Sequence, residues 1–149
     1  MLLQVRDTAL HQRYTLTVVP LIDIYIAREK SRAGDVDGAI AALRSVVEDL
    51  FAASGSIWSA VAVDDLVNAL LRRGNAADLS EARAVVDRLA ALPTDPGLVL
   101  HDIWLLRLRA LLAKAGGDEI TYHDFRDRYR KLATNLGFEG HMAMAAAMV

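Results

Sequence analysis

The chain has 149 residues, 54% of them hydrophobic, with 17 basic and 19 acidic side chains, a net charge of −2 and no cysteine. This is about one domain by length, and its balanced, unblocked charge argues against nucleic acid and anionic membrane surfaces, which call for concentrated Lys and Arg. No apolar run reaches the ~18 residues of a membrane span, the first residues lack a secretory pattern, and the missing cysteine removes disulfides, thiolate chemistry and Cys-zinc sites, so cytoplasmic residence is the default expectation.

Leu3, Ala9, Leu10, Tyr14 and Leu16, interleaved with Arg6, Asp7, Gln12 and Arg13, predict helical chain over residues 3–17. Pro20 suits a first helical turn or a kink. Leu21, Ile24, Tyr25 and Arg28 follow at helical spacing, Lys30 and Arg32 complement the negative end of the helix dipole, and Gly34 is a left-handed stop. Asp35 or Asp37 caps the next helix, in which Ile40, Leu43, Val47 and Leu50 form an apolar stripe. "ASGS" (53–56) ends it. A third helix spans 57–73 and stops at Gly74. Ser80 or Asp78 caps a fourth, with Ala82, Val85, Val86 and Leu89 turned inward.

"LPTDPG" (92–97) reads as a loop, and Asp95 followed by Pro96 as a helix start. The fifth helix, 96–115, places Leu100, Trp104, Leu108 and Leu111 on one side. "AGGDE" stops it and restarts the chain. The sixth, 118–135, carries Phe125, Tyr129 and Leu132 on a core stripe. Its outer face pairs Asp124 with Arg128 and Asp127 with Lys131, each pair worth about 0.2–0.5 kcal/mol. Gly137 ends it, and "EGHMAMAAAMV" forms a closing helix. No segment alternates as a strand.

Gly34, Gly74 and Gly116 lie 40 and 42 residues apart, each between two amphipathic helices. This spacing predicts an all-α repeat of helical hairpins, each covering its neighbour's apolar face. The expectation is one domain over 1–149: about three hairpins plus a C-terminal helix.

Around "GDVDGAI", Ala27, Ala39 and Leu43 stand where a tetratricopeptide repeat has two facing small residues and a large apolar one. The stretch resembles that family. The third hairpin keeps Ala110 and "GGD" but has Tyr122 in place of the small residue, and the middle one has Ala82 after a longer turn. The resemblance implies a tetratricopeptide-like, right-handed array.

A wider resemblance rests on "LLQVRDTALHQRYTLTVVPLIDIYIAREKSRAGDVDGAI", "HDIWLLRLRALLAKA" and "YHDFRDRYRKLATNLGFEGHMAMAAAM". These look like the C-terminal region of actinobacterial, especially mycobacterial, signalling proteins with a class III adenylate/guanylate cyclase domain, an AAA-type ATPase domain and a helical-repeat tail. Some relatives end in a LuxR-type helix-turn-helix. This chain has no Walker A pattern and no cyclase carboxylate pair in a strand context, so the resemblance implies only the tail. It carries over neither cyclase nor ATPase activity. The leading expectation is a non-catalytic interaction or regulatory module with no cofactor or metal.

His11, His101, His123 and His141 form no H-x₃-H or H-E-x-x-H motif and read as surface or cap histidines. Asp64 and Asp65 are neighbours on a helix, point about 100° apart, and read as a solvated face rather than a metal site. Two glycines precede Asp118 and Glu119, which would repel an anion there. Trp58 and Trp104 read first as packing between hairpins and second as partner-facing hot spots. By the tetratricopeptide analogy, Arg28, Arg32, Asn68, Arg72, Arg107 and Lys114 point into a concave groove and could take a carboxylate-ended or acidic protein segment, or the upstream ATPase domain. The plain alternative is solvated charge. Self-association through the Met-rich closing helix is a further expectation. The runner-up function is small-molecule sensing in a groove between hairpins, with Trp58 or Trp104 on its wall.

Overall fold

The computed structural model describes residues 2–11, 18–53, 57–95 and 98–149. Among these residues the chain forms eight α-helices and no strand: α1 (Leu2–His11), α2 (Val18–Arg32), α3 (Val36–Ala52), α4 (Ile57–Arg73), α5 (Asp78–Ala90), α6 (Val99–Ala115), α7 (Glu119–Leu136) and α8 (Glu139–Ala146). Tyr14 and Leu16, the "SGS" that follows Ala53, and Pro96 fall outside the described residues.

The turns explain the hairpins. Gly34 and Gly137 adopt φ of +87° and +66°, where a side chain would be strained. The third turn differs from expectation. Gly116 stays right-handed at φ −83°, and Gly117 is the left-handed residue at φ +75°. The repeat boundary therefore falls at Gly117, one residue later than the spacing argument placed it. At Gly34, Gly117 and Gly137 the next residue's N–H reaches back to close the same C-terminal motif: Asp35 to the Lys30 carbonyl, Asp118 to Ala113, Phe138 to Ala133. Asp35 and Asp118 then cap the following helices, accepting from the Gly38 and Thr121 N–H groups at 2.9 and 3.1 Å.

The α4–α5 turn is built another way. Neither Ser80 nor Asp78 is the capping residue; Ala77 holds that position without a side-chain bond. Asp78 opens the helix, accepts from the Asn75 N–H at 2.8 Å, and takes one edge of the Arg73 guanidinium, Nε and Nη2, at 3.0 and 2.6 Å. These contacts hold its carboxyl below the usual range, the Arg73 bond foremost.

α2 packs on α3, α4 on α5 and α6 on α7. Each second helix also packs on the next first helix, α3 on α4 and α5 on α6. The first helices α2, α4 and α6 touch in series. One apolar cluster runs from Ile24 through Ile40, Val63 and Leu89 to Leu105, Leu108 and Leu112. A second gathers Ile103 and Ala110 with Tyr122, Tyr129, Ala133 and Ala145. α6 thus buries two faces, one in each cluster, and Trp104 packs against both. This is why its expected single stripe fails: Leu108 is buried, Trp104 and Leu111 are half-buried, and Leu100 is 42% exposed. On α7, Tyr129 is buried as expected, while Phe125 and Leu132 pack beside the second cluster half-buried.

Polar links repeat with the hairpins. Arg44 grips Glu81 and Arg88 grips Glu48 between α3 and α5, at 2.6–2.9 Å. Arg73 reaches Asp37. Arg28 reaches Asp65, Arg72 reaches Ser31, and Arg107 reaches Asp64 along the first helices. These six links join residues 36 to 43 positions apart, about one unit each. The exposed pairs each contribute about 0–1 kcal/mol; the Arg107–Asp64 pair belongs to another class.

Candidate functional site

α4 presents two adjacent carboxylates to opposite neighbours. Asp64 meets Arg107 of α6 through Nε at 2.9 Å, with a second nitrogen at 3.5 Å. Asn68, one turn on, donates to the Asp64 carboxylate at 3.0 Å and to its carbonyl at 2.7 Å. Asp65 meets Arg28 of α2 at 2.8 Å. The Asp64 and Arg107 side chains are only 10% and 12% exposed. The expected solvated face is therefore wrong: this is a charged seam across three first helices. Burial raises the Asp64 carboxyl, against the pull of Arg107. Burial likewise raises Asp65, against Arg28. Among the described residues no group of three or more His, Cys, Asp or Glu could hold a metal ion.

Beside the seam, α7 and α8 bury a polar pair. The Tyr129 hydroxyl and His141 Nδ1 share a 2.8 Å hydrogen bond. The His141 ring stands edge-on to Trp104 at a centroid distance of 4.6 Å. His141 is buried, which corrects its reading as a surface or cap histidine. Burial pushes the Tyr129 phenol up to about 12. Burial lowers the His141 pKa, and nearby Arg107 lowers it further. A depressed imidazole contributes stability above its unfolded value of 6.5 and loses it as pH falls through the folded value. Lowering the pH from 7 toward 5 is therefore expected to destabilise the native chain more than its His141→Gln variant. The raised Asp64 and Asp65 carboxyls favour the fold in the opposite pH direction, but equally in both proteins. Urea midpoints across that range check it, and parallel curves would remove His141 from the pH response.

At the other end of α4 and α6 lies a cleft of about 640 Å³ between the second and third hairpins. Trp58, Trp104, Leu89 and Leu92 stand among its lining, with Leu98 and Leu100 also on it. Thr94, Asp95 and His101 supply its polar groups. Ile57, on the same lining, is 63% exposed. Both tryptophans are half-buried, pack on the core and also line this opening.

The six groove candidates are found on α2, α4 and α6, but their polar groups are engaged. Arg28, Asn68 and Arg107 belong to the seam. Arg32 pairs with Glu29 of its own helix, and Arg72 donates to the Ser31 hydroxyl. Lys114 donates to the Val149 main-chain oxygen at 2.6 Å and lies over the Tyr122 ring. Arg32 and Arg72 are exposed. On α7, Arg128 pairs with Asp124 as expected, whereas Asp127 pairs with Arg126 rather than Lys131.

Compared with protein-family models, curated proteins and solved structures, the chain matches none. No helix among the described residues is long and apolar enough to cross a membrane.

Proposed function

We propose that the chain is a non-catalytic regulatory module: a tetratricopeptide-like array that docks on an acidic protein segment, or on an ATPase domain upstream of it, and biases that partner's state. The observation that carries this reading is the contact of α2, α4 and α6 in series. Three first helices side by side offer one continuous face for an extended segment. Arg32 and Arg72 of these helices are exposed, and among the described residues they meet Glu29 and Ser31, which an incoming carboxylate can replace.

A fluorescein-labelled, carboxylate-ended hexaglutamate peptide tests the groove by fluorescence polarisation. The Arg32→Glu/Arg72→Glu double variant is expected to bind it at least tenfold more weakly and to melt within a few degrees of the native chain. Unchanged affinity would sink the groove. Arg28 and Arg107 are unsuitable for this test because removing either disturbs the seam.

A second reading, small-molecule sensing, is supported by the position of Trp58 and Trp104 on one inter-hairpin cleft. Its size falls within the roughly 300–1,000 Å³ of small-molecule sites.

A further inference from the structure

We propose that the cleft between the second and third hairpins takes a flat apolar molecule that is neutral or carries one cationic head, and rejects anions. This rests on the sensing reading and adds the chemical class of the ligand.

Size and lining come first. The cleft holds about 640 Å³, with two indole rings among mostly aliphatic walls. Stacked or edge-on indoles favour a planar, aromatic occupant. Leu98, Leu100 and Ile57 extend apolar surface along the opening and are exposed in the ligand-free chain. Covering them contributes to binding without disturbing the packed core.

Charge decides the rest. Among the described residues that line the cleft there is no Lys or Arg, and Asp95 is the single carboxylate. An anion entering would leave water for apolar walls and meet a like charge, with no fixed cation to receive it. A cation meets the opposite situation: indole faces attract it, and Asp95 offers a carboxylate. His101 and Thr94 can serve a neutral hydroxyl as donor or acceptor. Phosphorylated and carboxylated metabolites therefore fall outside the class. Aromatic amines and alcohols fall within it.

The chain has two tryptophans, and both report on this cleft. The full ¹⁵N-labelled chain is titrated with 2-naphthylmethylamine, 2-naphthylmethanol and 2-naphthoate, following the two indole N–H resonances. The amine and the alcohol are expected to shift both signals saturably, with 2-naphthoate at least tenfold weaker. Asp95 is exposed in a loop, so Asp95→Asn is expected to keep the fold. It should weaken the amine at least threefold and leave the alcohol unchanged. Naphthoate binding as tightly as the others would overturn the ligand class while leaving the sensing reading in place. An amine affinity indifferent to Asp95→Asn would remove the cationic arm. Silence of both indoles toward all three probes would overturn the class and the sensing reading together.

Discussion

Replacing Arg107 by alanine is expected to destabilise the fold by about 3–5 kcal/mol, the cost of leaving a buried charge without its partner. The lost contact is the smaller part of that figure. Asp64 would remain buried against α6, with Asn68 donating to it in place of the lost guanidinium. The Asp64–Arg107 side chains are about nine-tenths covered, so solvent screening offers little relief. Replacing the pair together, Asp64→Leu with Arg107→Met, should recover most of the loss, because an apolar pair of similar size carries no desolvation cost. Urea denaturation followed by circular dichroism separates the outcomes. A loss below about 1 kcal/mol for Arg107→Ala would place the pair with weak surface bridges and end the argument for a buried seam.

Leu108→Ala is the second large effect, about 2–5 kcal/mol for a leucine truncated in a packed core. Leu108 is fully buried where α6 closes the cluster shared with the first two hairpins. Stacked arrays derive their cooperativity from such neighbour interfaces. The loss should therefore also uncouple the two clusters: amides of α7 and α8 are expected to exchange sooner than those of α3 and α4. Ile120 provides the contrast. It is 86% exposed, and Ile120→Ala should stay within about 0.5 kcal/mol. A Leu108→Ala protein with native-like midpoint and uniform exchange would show that α6 does not bind the two clusters together.

The hairpins were legible because their signals are local. A glycine after an apolar stripe, followed by Asp, writes both a helix stop and the next cap, and Gly34–Asp35 reads that way directly. Gly116–Gly117 was ambiguous by one residue because either glycine can take the left-handed turn. Asp64 and Asp65 depart from the sequence expectation for a tertiary reason. Side chains about 100° apart on an isolated helix look solvated, but α4 has a helix on either side. Each carboxylate points at a different neighbour, Arg28 upstream and Arg107 downstream. A search for opposite charges one repeat apart would have found both pairs. His141 had no such signal: its burial depends on α8 folding back over Trp104 and Tyr129. The cleft was legible in part: a groove between hairpins with Trp58 or Trp104 on its wall is the sequence expectation, and both line it, but Asp95, Leu98 and Leu89 join that wall only through the packing of α4 against the end of α5, the loop and α6.

The alternation of sign along the first helices has a consequence for assembly. α2 brings a guanidinium, α4 two carboxylates and α6 a guanidinium. Only an order with the acidic member in the middle satisfies both ends at once. Transposing the first two hairpins would set Arg28 beside Arg107, cation against cation, and strand a carboxylate at the margin. The succession of units is thus written in electrostatics as well as in peptide bonds.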